Sequence, residues 1–117
     1  MRVIQVTTNL PVADIDTAKR FYTDFLGLSI EEFNLGWVAR YTDPGTGAHV
    51  QLVTGDATAP EDSAISVHVD DVDSAYDEAV RAGHEIVHPL TTEEWGVRRF
   101  FVRAPDGTVI NVVAHHN

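Results

Sequence analysis

Residues Val67–Gly83 read "VHVDDVDSAYDEAVRAG", and most of this stretch is a variation on an earlier one. Asn9–Gly27 reads "NLPVADIDTAKRFYTDFLG", in which "VADIDTA" aligns with "VDDVDSA" at an offset of 57 positions. Each copy holds a β-branched run, an aspartate suited to an N-cap (Asp14 or Asp71), apolar residues at helical spacing and a glycine. The sequence therefore predicts a strand–helix unit that occurs twice.

Three extended stretches follow each predicted helix, and turn residues such as "DPGTG" and "APDG" separate the last two of each set. The predicted fold is α+β, with two tandem βαβββ modules at residues 1–54 and 64–117 and a linker at 55–63. Neither module is expected to bury its sheet alone. We expect the two to pack as one domain or to exchange partners in a dimer.

Both predicted helices carry an apolar stripe that we expect to pack on a sheet. The stripe of the first helix is Ile15, Ala18, Phe21, Tyr22, Phe25 and Leu26, and that of the second is Val72, Ala75, Tyr76, Ala79 and Val80.

Composition excludes several classes of function. The chain has 117 residues, a formal net charge of −10, one lysine and no cysteine. Such a charge opposes nucleic-acid binding, and the absence of cysteine excludes disulfides and thiolate chemistry. No apolar run is long enough to span a membrane, and the N-terminus lacks the apolar core of a signal peptide. We therefore expect a cytoplasmic protein without nucleic-acid or membrane partners.

The segments "LPVADIDTAKRFYTDFLGL" and "RFFVRAPDGTVINVV" resemble the vicinal oxygen chelate superfamily. That superfamily includes glyoxalases, bleomycin-resistance proteins, fosfomycin-resistance enzymes and extradiol dioxygenases. The resemblance covers nearly the whole chain and implies a curved sheet around a cleft, often in a homodimer. It is specific for fold and weak for function, because one fold hosts many chemistries.

Alternation along the strands separates polar faces from apolar ones. The predicted helix-facing residues are Ile4, Val6, Val50, Leu52, Ile65, Val67, Val69, Ile110 and Val112. The opposite faces carry Gln5, Thr7, Asn9, His49, Gln51, Val53, Ala64, Ser66, His68, Val109, Asn111 and Val113, and in relatives these faces line the cavity.

The resemblance also implies where a metal would be held, on the first and last strands of each module. These positions are Thr7, Gln51, Ala64 and Asn111, which offer no carboxylate and no imidazole. Divalent metals need such donors, so we expect no metal and no other cofactor. A displaced metal site formed by His49, His68 and Gln51 is the alternative.

Further candidates for the ligand site are aromatic and basic. Trp37 and Trp95 lie beside glycines and would form a wall of an aromatic-binding cleft or the rim of a dimer interface. Arg98 and Arg99 alternate sides of one strand, so one of them should face the cavity, and Arg98 is included in the predicted site. We expect His84, His88, His115, His116, Glu93 and Glu94 to be exposed.

The leading hypothesis is a metal-free protein that binds a small, partly aromatic molecule, in the manner of bleomycin-resistance proteins. It would sequester an antibiotic or toxic metabolite. The predicted ligand-binding residues are Thr7, Trp37, His49, Gln51, His68, Trp95, Arg98 and Asn111.

Two alternatives come from other functional classes. One is a glyoxalase-like lyase, an isomerase or a dioxygenase, in which His68 acts as a base or joins His49 at a metal. The other is an accessory module that only dimerises, with side chains filling its cavity.

Overall fold

The protein is described by a computed structural model over residues 1–116. The elements, in chain order, are β1 (Val3–Pro11), α1 (Ile15–Arg20) with a π-helical turn (Phe21–Phe25), β2 (Ile30–Asn34), β3 (Val38–Thr42), β4 (His49–Val53), β5 (Ile65–Val69), α2 (Val72–Arg81), β6 (Glu85–Thr92), β7 (Val97–Arg103) and β8 (Val109–His115). The α+β fold and its two βαβββ repeats are thus confirmed. No helix within residues 1–116 is both long and apolar enough to cross a membrane.

The chain divides into two compact units. The first unit is Thr7–Thr58, and the second comprises Met1–Val6 together with the chain from Ala59 onward. The division after Thr58 falls inside the linker predicted at 55–63. Strand β1 contributes residues to both units, whereas the sequence assigned the whole strand to the first module.

The sheet of the first unit has the strand order β2-β3-β4-β1. β1 runs parallel to β4, while β3 is antiparallel to both of its neighbours. Helix α1 packs on β3 and β4. The core of this unit contains Ile15 from the helix and the buried strand residues Ala39, Tyr41 and Leu52.

The apolar stripe of the first helix is only half correct as predicted. Ile15, Ala18 and Tyr22 pack on the core, but Phe21 and Phe25 are 55% and 75% exposed. The helix widens after Arg20, where the amide of Leu26 bonds to the carbonyl of Phe21 five residues back. A π-helical turn shifts the following side chains around the axis, so the 3.6-residue spacing no longer predicts the buried face.

The sheet of the second unit has the order β5-β8-β7-β6, with β5 and β8 parallel and the other pairs antiparallel. Helix α2 packs on β6, β7 and β8. The core joins Val72, Ala75 and Ala79 of the helix to Phe100 and Val112 of the sheet. Val80 is the member of the predicted stripe that lies outside this core, and it is 51% exposed.

The prediction that Ile4 and Val6 pack on a helix is wrong, because these side chains are 68% and 54% exposed. Within residues 1–116 the helices pack mainly on other strands, α1 on β3 and β4 and α2 on β6, β7 and β8. The prediction of a helix-facing position is confirmed for Leu52, Val69 and Val112, which are buried on the helix-facing sides of their sheets.

Candidate functional site

The first unit has a polar face that is opposite its helix. In the strand register Asn9 lies beside Gln51, and Gln51 lies beside Arg40. Side chains that are cross-strand partners share a face. The polar face therefore carries Thr7 and Asn9 from β1, Arg40 and Thr42 from β3, and His49 and Gln51 from β4.

Gln51 is at the centre of this face and is 7% exposed. Its Nε2 donates to Oδ1 of Asn9 at 2.7 Å. Its Oε1 accepts from both Nε and Nη2 of Arg40, at 3.1 and 2.8 Å. These three bonds fix the orientation of the amide and direct its carbonyl oxygen at a guanidinium.

Arg40 is the cation of this polar face, and its side chain is 13% exposed. Burial lowers the pKa of the guanidinium, and both the charge of Glu32 and its polar contact with Arg40 oppose that shift. Nη1 of Arg40 lies 3.6 Å from Oε2 of Glu32, which is longer than an ordinary hydrogen bond. The other oxygen of Glu32 accepts from the hydroxyl of Thr42 at 2.5 Å. The Phe33 ring lies 5.3 Å from the guanidinium carbon.

Thr7 and His49 form a hydroxyl–imidazole pair, with Oγ1 and Nε2 2.8 Å apart. Nδ1 of the same ring lies 3.0 Å from the carbonyl oxygen of Gly47. A carbonyl oxygen only accepts, so Nδ1 is the donor in the bond to Gly47 and Nε2 is the ring atom that pairs with the Thr7 hydroxyl. Because Thr7 is 1% exposed, this pair holds β1 against β4 and does not present a nucleophile to solvent.

These residues do not fit a divalent metal. Gln51 Oε1, which would be its amide ligand, already accepts two hydrogen bonds from a cation, and Thr7 is bonded to His49. A second cation beside Arg40 would meet direct repulsion. Within residues 1–116, no three His, Cys, Asp or Glu side chains are grouped so as to hold a metal.

The second unit has a corresponding face. Ser66 lies beside Asn111, Asn111 beside Phe101, and Phe101 beside His88 in the register of β5, β8, β7 and β6. Ser66, Asn111 and His88 are all buried. The predicted residue His68 follows on the same face of β5 and is half-buried, with its ring centroid 6.1 Å from that of His115.

Asn111 has one satisfied and one unsatisfied polar atom. Its Nδ2 donates to Oγ of Ser66 at 3.0 Å, while the side chain is 8% exposed. Its Oδ1 is buried and has no hydrogen-bond partner among the described residues. An unpaired buried acceptor costs about 1–3 kcal/mol, so a partner outside the described side chains, such as an ordered water or a ligand, would stabilise it.

Glu93 and Arg99 form a buried ion pair near His88. Both nitrogens of the arginine that face Glu93, Nε and Nη2, lie 2.7 Å from Oε2. The guanidinium carbon is 5.0 Å from the centroid of the Trp95 ring and 4.8 Å from that of Phe101. Nε2 of His88 lies 3.4 Å from the same Glu93 oxygen but does not make a hydrogen bond with it.

This cluster corrects two predictions of exposure. Glu93 and His88 are 7% and 8% exposed, although the sequence suggested a solvated loop and a strand end. β6 continues to Thr92, beyond its predicted end, which brings His88 opposite Phe101 and Glu93 beside Arg99. His84, Glu94, His115 and His116 are exposed as predicted.

Arg98, the arginine included in the predicted ligand site, lies on the opposite face from Arg99. Its guanidinium bonds to both carboxylate oxygens of Asp73, with Nη2 and Oδ1 2.8 Å apart, and to the hydroxyl of Thr92. The bond to Asp73 raises the pKa of Arg98. Arg99 is therefore the arginine on the polar face, and a role of Arg98 in ligand binding stays a prediction.

The two predicted aromatic residues belong to different units. Trp37 precedes β3 in the first unit and Trp95 precedes β7 in the second, and both are half-buried. Trp95 packs on Arg99. Whether either ring contacts a ligand stays a prediction.

A protein-family model matches residues 4–112, and its description is the Glyoxalase/Bleomycin resistance protein/Dioxygenase superfamily. The chain belongs to this superfamily. The family assignment agrees with the resemblance drawn from the repeated sequence. No curated protein matches this chain significantly.

Solved structures show the same fold at low sequence identity. A superfamily member from Vibrio splendidus is 21% identical with a TM-score of 0.69, covering 97% of this chain and 99% of its own. An uncharacterised protein from Methanosarcina mazei is 27% identical with a TM-score of 0.67, covering 98% and 94%. A Legionella pneumophila structure described as an NAD-dependent benzaldehyde dehydrogenase is 17% identical with a TM-score of 0.76, covering 95% and 99%.

Sequence reasoning missed Arg40 as a site residue. The signal was available, because the turn "DPGTG" joins β3 to β4 and fixes their register. Counting outward from that turn pairs Thr42 with His49 and Arg40 with Gln51. Arg40 therefore shares the face already predicted for Gln51.

Proposed function

We propose that this member of the superfamily binds a small, partly aromatic molecule without a metal, as a sequestering protein for an antibiotic or a toxic metabolite. The observation that carries the proposal is the buried Oδ1 of Asn111, which has no hydrogen-bond partner within residues 1–116. Asn111 is also one of the ligand-binding residues predicted from the sequence repeat. A ligand N–H group would satisfy this acceptor.

The chemistry of both polar faces supports binding over metal catalysis. Asn9, Gln51, Ser66 and Asn111 are neutral hydrogen-bonding residues, and they are paired with one another within each unit. Sites for small molecules commonly combine a few fixed polar groups with aromatic walls. Trp95, which is half-buried and packs on Arg99, supplies aromatic surface in the second unit.

Calorimetric titration tests the proposal with a panel of aromatic amines, aromatic carboxylates and bleomycin-type glycopeptides. We expect at least one class to bind and Asn111→Ala to weaken that binding about tenfold, which is typical for one buried hydrogen bond. Asn34→Ala is the matched control, since Asn34 is an exposed residue of β2. No binding by any member of the panel would contradict the proposal.

The alternative is an enzyme of the same superfamily that uses His68, with or without a metal. The observation that favours it is the proximity of the His68 and His115 imidazoles. Elemental analysis of protein purified without chelator or affinity tag tests the metal-dependent form of this alternative. Stoichiometric metal that is lost in His68→Ala or His49→Ala would overturn the metal-free proposal, whereas we expect no bound metal.

The homodimer and the cytoplasmic location expected from the sequence belong to the same proposal. Sedimentation equilibrium would measure the assembly, and we expect the mass of two chains. Sedimentation as a monomer at micromolar concentration would contradict the dimer without affecting the proposed binding of a ligand.

A further inference from the structure

We propose that Arg40 binds a carboxylate or another planar oxyanion of a small molecule at the polar face of the first unit, an inference that rests on the proposed small-molecule binding function. It names the chemical group that the polar face of the first unit recognises. The Arg40 guanidinium stands beside Gln51, on the face where the sequence predicted the ligand site.

Arg40 has hydrogen-bonding capacity that the protein does not use. A guanidinium has five N–H donors in a planar fork. Among the described residues, Arg40 makes hydrogen bonds only to Oε1 of Gln51, through Nε and Nη2. Three donors are left, including both on Nη1, and a carboxylate or phosphate is the acceptor whose geometry fits such a fork.

The positive charge of Arg40 is also only loosely balanced. Glu32 is the nearby carboxylate, but the 3.6 Å separation exceeds a hydrogen bond and the Glu32 side chain is 39% exposed. Thr42 holds the second oxygen of Glu32. A ligand anion can therefore approach the guanidinium without first breaking a close ion pair, although Glu32 will compete with it.

The position of Arg40 is fixed in advance of binding. Asn9 holds Gln51, Gln51 holds Arg40 through two bonds, and Phe33 covers the guanidinium at 5.3 Å. A donor that is already oriented loses little conformational entropy on binding. The 13% exposure of the side chain leaves it accessible to a ligand from solvent.

The test compares aromatic carboxylates with their neutral amides, such as 1-naphthoate with 1-naphthamide and indole-3-acetate with indole-3-acetamide. We expect calorimetry to show the acid binding wild-type protein at least about tenfold more tightly than the amide. Arg40→Gln should remove this preference, and Arg40→Lys should keep only part of it because lysine lacks the fork. Arg20→Gln, an equal change of charge on the exposed end of α1, should leave it intact.

A second measurement does not depend on a variant that folds. In ¹⁵N-labelled wild-type protein, the Nε–Hε resonance of Arg40 should shift on titration with 1-naphthoate and not with 1-naphthamide. Equal affinity for acids and amides would overturn the role of Arg40 while leaving the proposed binding function standing. If no carboxylate shifts the Arg40 resonance, the role of Arg40 would also be overturned. The absence of all binding would contradict both proposals.

Discussion

At the scale of single residues, the buried charges of the two units differ in how well they are paired. Arg99 and Glu93 have side chains that are each 4% exposed and lie 2.7 Å apart. Arg40 and Glu32 lie 3.6 Å apart, and Glu32 is partly in solvent. A buried charge is costly unless it is paired and hydrogen-bonded. The first pair therefore has the character of a structural element, and the second leaves the Arg40 guanidinium less tightly paired, which is the feature on which the proposed binding of an oxyanion rests.

We expect Glu93→Gln to destabilise the protein by about 3–5 kcal/mol, because it removes the buried carboxylate charge that lies 2.7 Å from the Arg99 guanidinium. Chemical denaturation monitored by circular dichroism measures the change. Glu94→Gln is the control. Glu94 is the exposed neighbour of Glu93, so its substitution should alter the free energy of unfolding by no more than about 0.5 kcal/mol. Equal effects of the two substitutions would show that the ion pair contributes nothing.

At the scale of elements, both helices begin at the aspartates that the repeat aligned. Asp14 accepts from the amide of Thr17 at 2.9 Å, and Asp71 accepts from that of Ser74 at 3.0 Å. The two helices then diverge: α2 keeps α-helical geometry to Arg81, whereas α1 passes into a π-helical turn after Arg20. Sequence spacing predicted the start of each helix but not this change of pitch.

We expect Asp71→Ala to lower the free energy of unfolding by about 1 kcal/mol, because the first turn of α2 loses its N-cap acceptor. Asp77→Ala, in the middle of the same helix and exposed, removes the same charge without removing a cap. Urea denaturation of both variants gives the comparison. A loss for Asp77→Ala as large as that for Asp71→Ala would assign the effect to charge and not to capping.

At the scale of the whole molecule, the excess of acidic residues is partly engaged in fixing turns and helix ends. Hydrogen bonds lower the pKa of five aspartates below the usual 3.8. The largest cause is a bond from Thr17 to Asp14, from Thr46 to Asp43, from Arg2 to Asp70, from Arg98 to Asp73 and from Thr108 to Asp106. The folded state therefore binds fewer protons than the unfolded state near pH 3–4.

The sign of this linkage predicts acid instability. A carboxylate with a depressed pKa stabilises the folded state above its unfolded pKa of about 3.9, and that contribution disappears as the pH falls through the folded value. We expect the melting temperature to be insensitive to these groups from pH 8 to 5 and to fall below about pH 4. Asp43→Asn should flatten the acid limb; an unchanged acid limb would contradict the assigned role of that carboxylate.

The sequence by itself determined the duplication, the aspartate N-caps, the strand parity of Gln51 and Asn111, and the scarcity of metal donors at the repeated positions. These features depend on residue identity and on separations of a few residues, where the period of a strand or helix fixes geometry. Tertiary structure alone decided the burial of Glu93 and His88, the choice between Arg98 and Arg99, and the exposure of Ile4 and Phe25. Those outcomes depend on where a strand ends, how a helix changes pitch and which element packs on which sheet, and such non-local contacts leave no periodic signal in the chain.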